Sequence, residues 1–416
     1  MGSFSTSLSG IKAASNNLAV ISNNLANMNT TAYKSQEANF KDLFYQLLGT
    51  NGAGNAVQVG AGTTIAAVAS NFTQGTVSSN GVSTDVAIQG EGSFIESKDG
   101  TTLYTRAGNF AQDQSGNLVT SDGGYVLGYP AVDGVISSSQ TLAPLKLVSG
   151  QIIPPKASSQ VELQMNLDAS ASAVAGVNGN TFSSPVVVYD SLGTSHTLTF
   201  TFTKTAPNTW NYAITIPGGD VGASGAPTTV GSGVLQFDNN GKLTSPAADV
   251  SGISIPSLAD GATPMSLKWS LFGPSGSSQI TQVSGDSNVS STQQDGYASG
   301  SLQSFTINSD GTISGSFSNG KTHTLGQIAL ATFQNNQGLQ LVGSNTYSAT
   351  PSAGTASVGA PNSGGRGSLV GESLEASNVD MTSELSDLIV AERDYQSNAR
   401  AISTANEMTQ YVLTKL

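Results

Sequence analysis

Cysteine is absent from this 416-residue chain, and histidine and tryptophan occur only twice each. Without thiols there is no disulfide scaffold, thiol nucleophile, iron–sulfur cluster or cysteine-ligated zinc. Charge is scarce as well. Asp, Glu, Lys and Arg make up 10% of the residues, well below the ~25% of an average soluble protein. The 15 basic and 27 acidic side chains leave a net charge of −12. That balance excludes nucleic acid as an expected partner, because neutralising phosphates takes clustered Lys and Arg. No apolar run approaches the ~20 residues of a membrane-spanning helix, so a chain not embedded in a membrane is expected. Nor does the N-terminal region carry the pattern of a cleaved secretory signal. Its longest apolar run, Leu18-Ala19-Val20-Ile21, is four residues and follows no basic stretch. A chain that avoids cysteine and charge suits the cell exterior, yet no ordinary export signal accompanies it.

What is present begins with two helical ends. From Phe4 to Met28 the apolar residues Phe4, Leu8, Ile11, Leu18, Ile21, Leu25 and Met28 step by three, four or seven. That spacing predicts a helix with one narrow apolar stripe of coiled-coil type. Its other face carries Asn16, Asn17, Asn23 and Asn24, with Lys12 its only charge. At the far end, Asp380 to Leu416 contains no Gly or Pro. Met381, Leu385, Leu388, Tyr395, Ala399, Ile402 and Val412 fall at or near the same spacing, with Asp380 as N-cap. At ~1.5 Å per residue this helix would be about 50 Å long, a coiled-coil length. The first 34 residues carry +2, and the segment from Glu372 onward has eight acids against three bases. Two narrow-striped helices at opposite ends are expected to pair with each other or with copies of themselves. Asparagine is a mediocre helix former, so both termini are expected to be largely disordered in a free subunit and to fold on assembly. A near-uncharged helix also suits a crowded polymer interior, where identical copies would otherwise repel. The stripe residues, with Asn23, Asn24 and Asn27, are therefore the candidate assembly residues.

Between the ends the pattern is β. Val186-Val187-Val188-Tyr189, Leu198-Thr199-Phe200-Thr201-Phe202 and Trp210-Asn211-Tyr212-Ala213-Ile214 are short strand-like runs separated by turn residues. Asn240-Gly241, Asp310-Gly311 and Asn319-Gly320 are hairpin dipeptides. Composition shifts near Pro144–Ser159 and Gly273–Asp295 mark an inserted domain, and Gly354–Gly371 reads as a Gly/Ser linker. The expected fold is mainly β with terminal helices. It divides into 1–30 with 372–416 as a helical core, 31–70 as a variable connector, 71–146 with 295–371 as an inner β domain, and 147–294 as an inserted outer β domain of sandwich or barrel type.

Nothing in the chain assembles a catalytic, cofactor or metal site. His196 and His323 lie far apart and read as surface strand residues. Gly90-Glu91-Gly92 reads as a turn. Asp238-Asn239-Asn240-Gly241 lacks the acidic residue that closes a calcium loop and reads as a hairpin. Arg106 suits an intersubunit ion pair and an intradomain salt bridge equally well. A secreted β-rich adhesin or carbohydrate-active enzyme would need paired carboxylates among aromatic residues, and no Asp/Glu pair stands in such a setting.

Four ordered blocks carry a resemblance. Asn23-Asn24-Leu25-Ala26-Asn27 with Thr30, Thr31, Tyr33 and Lys34 resembles the N-terminal signature of flagellar rod and hook proteins. Tyr104-Thr105-Arg106-Ala107-Gly108-Asn109-Phe110, then Gly116–Val119 and Gly128-Tyr129-Pro130, resembles the first half of that family's β domain, and Gly326–Phe333 its second half. Leu374–Asp380 with Glu392–Ala399 resembles the C-terminal signature. Ala32 departs from the pattern, which often has Gly there. Arg106, Gly108 and Tyr129 are the family-motif residues of the β domain. Length and the inserted domain favour the hook members over distal rod or hook–filament junction proteins. The resemblance implies a helical tube of many subunits around an export channel, acting as an extracellular universal joint between motor and filament. It also implies as partners further copies of the chain, the distal rod protein, the hook cap, the hook–filament junction protein and the flagellar type III export apparatus. That apparatus would explain export without a cleaved signal. No cofactor is implied.

Overall fold

The computed structural model describes residues 2–44, 46–50, 56–137, 141–148, 150–173, 180–223 and 225–415. The fold is mainly β, with one α-helix at each end: α1 (Gly2–Ala26) and α2 (Met381–Lys415). Residues 45 and 51–55 of the expected connector, and Leu416 at the end of the expected helical range, lie outside the described residues.

Helix α1 starts and stops two residues before the limits implied by its apolar spacing. Asn27 and Met28 belong to a turn, where Asn27 returns its backbone N–H and its Nδ2 to the carbonyl of Asn23, at 3.1 and 2.9 Å. A carboxamide thus satisfies one of the carbonyls left open at a helix end. Ala32 follows in the left-handed region, φ 54°, fully buried. Glycine adopts this φ freely; here the Ala32 N–H donates to the Glu375 carbonyl at 2.8 Å, which holds the turn. Helix α2 begins on an N-cap, with Asp380 Oδ1 accepting from the backbone of Thr382 (2.8 Å) and Ser383 (3.1 Å).

The chain forms two compact units. One comprises Met1–Ser149, Ser304–Ser316 and Thr322–Leu416; the other comprises Gly150–Gln303 and Phe317–Lys321. The expected insertion, 147–294, stops short of this second unit. The stretch Gly273–Asp295 is polar in composition but contains two strands, Ile280–Val283 and Asn288–Gln294, both paired to Gln160–Asp168. Exposed edge strands tolerate Ser, Thr and Gln, so composition alone misplaced the boundary.

In the first unit, Ser93–Lys98, Thr101–Thr105, Tyr125–Val132, Thr322–Ile328 and Leu330–Thr332 belong to one sheet. Gly128 pairs with Ile328 and Phe94 with Leu330, so the returning segment completes what the first half began. Period-2 alternation buries both faces: Phe94, Val126 and Leu330 enter one core, Ile95, Leu127 and Ala331 another. The segment expected as a Gly/Ser linker is also built in. Ser368–Gly371 pairs with Val86–Gln89, and Leu369 is buried in the core. Around α1, Gln36–Asp42 and Thr63–Ser70 form an antiparallel hairpin.

The second unit is a sandwich of two five-stranded sheets. In one, Thr181–Tyr189, Ser195–Ala206, Thr209–Ile216 and Thr228–Phe237 run as an antiparallel meander; the other centres on Gln160–Asp168. Along Ser195–Ala206 every second residue is buried: His196, Leu198, Phe200, Phe202 and Lys204. Phe200, Phe202 and Tyr212 reach Trp269 of the opposite sheet, with ring centroids 5.2, 5.9 and 5.1 Å away. His196 is therefore not a surface residue. It stands in phase with the aromatic residues of its strand and turns inward with them. His323 lies half-buried in Thr322–Ile328.

Both tryptophans, Trp210 and Trp269, are fully buried in this sandwich, so their fluorescence reports on the second unit alone. Phe200→Ala is expected to lower its unfolding free energy by about 3–5 kcal/mol, read as a reduced urea midpoint of tryptophan emission.

Candidate assembly site

Three of the signature segments meet at one buried carboxylate. Lys34 follows α1, Arg106 follows Thr101–Thr105, and Glu375 ends the short strand Ser373–Glu375 ahead of α2. Lys34 Nζ lies 2.6 Å from Glu375 Oε1, and Arg106 Nε and Nη2 lie 3.2 and 3.1 Å from Oε2. The side chains of Lys34, Glu375 and Arg106 are 1%, 0% and 8% exposed. Two cations on one anion leave a surplus positive charge, and backbone oxygens surround it. Lys34 also donates to the Thr73 carbonyl at 2.7 Å, and Arg106 Nη1 donates to those of Gly90 (2.8 Å) and Gly92 (2.6 Å). The Gly90-Glu91-Gly92 turn, with φ of 105° and 127° at its glycines, is thus the receptor for the guanidinium. Burial pushes the Lys34 ammonium below its ordinary pKa, against the opposing pull of Glu375. Of the two readings of Arg106, the one realised here is the salt bridge within the chain.

The helices run antiparallel from this junction. Gly10 meets Asn398, where a Cβ on Gly10 would lie 2.6 Å from Asn398 Oδ1. Fourteen residues further along both helices, Asn24 Nδ2 donates to Glu384 Oε1 at 2.8 Å. Fourteen residues are two heptads, so the pair keeps coiled-coil register over this span. Asn24 is 1% exposed and fully used: it also donates to the Gln36 carbonyl (2.8 Å) and accepts from the Gln36 N–H (2.9 Å). Burial raises the pKa of the Glu384 carboxyl, with Asp387 adding to it and Asn24 opposing.

Four segments match known families in chain order. Residues 4–34 match the flagella basal body rod protein family, and 87–170 the flagellar hook protein FlgE/F/G D1 domain. Residues 166–297 match the flagellar basal body protein FlaE D2 domain, and 370–415 the flagellar basal body rod FlgEFG protein C-terminal region. The flagellar hook protein FlgE of Salmonella typhimurium is 36% identical over 415 residues, covering 98% of each chain. That of Treponema pallidum is 34% identical over 460 residues, covering 100% of this chain and 99% of the relative. The chain belongs to the flagellar hook protein FlgE family. It is a structural subunit of the bacterial flagellar hook, a part built by self-assembly. The crystal structure of Helicobacter pylori flagellar hook protein FlgE2 shares the fold over 70% of this chain and 98% of its own, with a TM-score of 0.52 at 18% identity.

Within this FlgE-family chain the large apolar stripes are only partly covered. On α1, Ala13, Ala14, Ile21 and Asn24 are buried and Gly10 and Asn17 half-buried, Gly10 and Asn24 meeting Asn398 and Glu384 of α2. Ile11, Leu18 and Leu25 are half-buried, and Phe4 and Leu8 are exposed. On α2, Ala391 is buried, and Glu384, Leu388, Asn398, Ile402 and Ala405 are half-buried. Met381, Leu385 and Tyr395 are exposed, and Ala399 is half-buried. At Gly10 the approach of Asn398 leaves no room for a larger side chain. Asn23 is exposed yet donates to the Tyr33 hydroxyl at 2.9 Å. Sequence reasoning missed Gly10, Ala14, Ala391, Asn398, Lys34 and Glu375 as contact residues.

The remaining motif glycine and tyrosine are structural. A Cβ on Gly108 would fall on the Val86 carbonyl and lie 3.1 Å from Phe94 Cε2. Tyr129 packs half-buried against the second core of this unit.

Glu375→Ala would leave Lys34 and Arg106 buried without a counter-ion, at an expected cost of about 3–5 kcal/mol to the first unit. Circular dichroism should show earlier urea unfolding of that unit, while the tryptophan transition of the second stays in place.

Proposed function

We propose that this hook subunit builds an inner tube from its paired terminal helices and an outer, sliding layer from its β units. Together they would work as a universal joint that transmits torque while bending around a central export channel. The observation that carries this reading is apolar surface left uncovered on α2 by α1. Met381, Leu385, Ile389, Val390 and Tyr395 are exposed along the shared length. Met408, Tyr411, Val412 and Leu413 lie beyond the end of α1 and are 54–70% exposed. Burying such residues against neighbouring copies contributes ~25 cal/mol per Å², and an isolated helix pair with so little core gains little of this. The termini would therefore become fully ordered on assembly.

The β surfaces support the sliding role. Cross-strand hydroxyl pairs such as Ser183–Thr201 (3.1 Å) and Thr181–Thr203 (3.4 Å) line an exposed face. Hydroxyls exchange partners through water at small cost, whereas fixed ion pairs would set discrete registers. In this reading the subunit is extracellular and leaves through the flagellar type III export apparatus without a cleaved signal. The tube would meet the distal rod protein, the hook cap and the hook–filament junction protein at its ends, and no catalytic role is assigned.

Leu385 is 37% exposed in the single chain, so Leu385→Asp should leave the monomer's tryptophan transition unchanged and abolish polymerisation. Sedimentation and electron microscopy of concentrated protein check this, and normal tubes from the variant would remove the proposed inner core. Amide exchange on dilute monomer should show weak protection across 385–402 that rises on polymerisation. Strong protection without polymer would instead mean a private two-helix stalk.

A further inference from the structure

The second unit holds a cluster that the assembly role does not use. His196, 5% exposed, stands at the start of Ser195–Ala206. Three carboxylates face its ring from three separate segments. Asp190, in the turn after Thr181–Tyr189, places Oδ2 3.1 Å from Nε2. Asp220, in the short 3-10 helix Gly218–Val221, places Oδ2 3.0 Å from Nδ1. Asp260, in the loop between Val250–Ile255 and Met265–Ser270, places Oδ2 4.0 Å from Nε2. Among the described residues no lysine or arginine comes within 4.0 Å of any of the three.

With Asp190 and Asp220 ionised, the hydrogen-bond chemistry of this arrangement has one solution. An ionised carboxylate only accepts, so a ring nitrogen facing one has to donate. Both nitrogens of His196 face carboxylates, and a ring with two N–H groups is an imidazolium. The acids cannot easily turn away. Asp190 is fully buried, and its Oδ1 accepts from the backbone of Leu192 (2.8 Å) and Thr194 (2.9 Å). The segments are stitched to one another as well: Ala259 N–H donates to the Asp220 carbonyl at 2.8 Å, and Thr263 N–H to Ser191 Oγ at 3.0 Å.

We propose that His196 is a proton-held clamp, an imidazolium that ties the Asp190 turn, the Asp220 helix and the Asp260 loop together and releases them when it deprotonates. A neutral ring would present a lone pair to one of the two carboxylates that its nitrogens face, Asp190 or Asp220, and lose that tie. Burial by itself would lower the His196 pKa, but its hydrogen bonds to Asp220 and Asp190 outweigh that and raise it. Burial likewise opposes ionisation of Asp190, yet hydrogen bonds with Asp260, His196 and the Thr194 and Leu192 backbone bring it down to about 2. A raised folded pKa gives its full stabilisation below the unfolded value of ~6.5 and loses it as pH rises through the folded value. The Asp190 contribution is lost only as pH falls through about 2. The clamp thus holds at neutral and mildly acid pH and opens on the alkaline side.

The test uses the full-length chain below its polymerisation concentration, with His323→Gln so that one histidine remains. Long-range 15N–1H correlation spectra at pH 6.5 should show protons on both ring nitrogens. The urea midpoint of tryptophan emission should fall as pH rises from 6 to 9, with the unfolding constant rising about tenfold for each unit between the folded and unfolded pKa values. Asp220→Asn, which removes one charged acceptor, should move the His196 titration to lower pH. His196→Phe should abolish the pH dependence; should that variant fail to fold, the spectra and the Asp220→Asn titration decide. A single protonated nitrogen at pH 6.5, or a flat midpoint across that range, would overturn the clamp. So would a midpoint lowered by a chelator, because the bridging cation would then be a metal ion.

Discussion

The buried carboxylate of Glu375 is the point on which the first unit is strung. It binds Lys34 from near the start of the chain and Arg106 from the β domain, while its own backbone holds the Ala32 turn. A buried charge is costly unless it is paired and hydrogen-bonded, and leaving any one member without the others is strongly unfavourable. That asymmetry makes the junction cooperative. It also changes the cost of pairing the helices. As free ends, α1 and α2 would have to close a loop of some 350 residues, on the order of 5 kcal/mol. With Lys34 tied to Glu375, the tie lies eight residues after α1 ends and six before α2 begins. Folding of the β unit therefore delivers the two helices to each other, and only a short loop remains to be ordered.

The pairing itself is deliberately shallow. The two helices meet where Gly10 faces Asn398 and where Asn24 bonds Glu384. Such a seam brings the backbones close but buries little apolar area per residue. The large residues stand to the side, where a polymer can use them. Asn24 fixes register, because its two hydrogen-bonding groups are satisfied only when α1, the Gln36 backbone and Glu384 are all in place. One buried carboxamide at a helical seam trades stability for a single alignment, which is what a subunit repeated many times requires.

Much of this was legible in the sequence, and the failures have physical causes. Period-2 runs such as Leu198–Phe202 and the Gly- and Pro-free terminal segments announced strands and helices, because backbone geometry imposes those periods directly. The family blocks pointed to Arg106, Gly108 and Tyr129 but not to what they touch. Lys34 and Glu375 are 341 residues apart, and no local pattern encodes such a pairing. Of the expected stripe, Ile21 is buried and Leu388 and Ile402 half-buried, whereas small residues such as Gly10, Ala14 and Ala391 carry too little hydropathy to stand out. Asn288–Gln294 and Ser368–Gly371 were missed as strands because an edge strand can be polar and a short buried one can be glycine-flanked. His196 was misjudged although its signal was present: it shares phase with Leu198, Phe200 and Phe202.

Most charged residues of this chain stay in water, and the few that are buried are informative. Lys34, Arg106 and Glu375 are among those buried in one unit, and Asp190, His196 and Lys204 are buried in the other. Each ties together segments that are distant in sequence or belong to different loops. Lys204, for example, donates to the Ala169 carbonyl and sits 5.8 Å over the Trp210 ring. Most of the other charged residues lie at the surface, spread among hydroxyls and carboxamides. Ion pairs are directional and hold one geometry when desolvated; exposed hydroxyls are interchangeable and hold none. Placing the first kind inside each unit and the second kind outside gives bodies that keep their own shape while their surfaces stay free to change partners. In the joint proposed above, a few desolvated ionic contacts would fix the geometry of each body, while a charge-poor exposed surface would let neighbouring bodies exchange contacts.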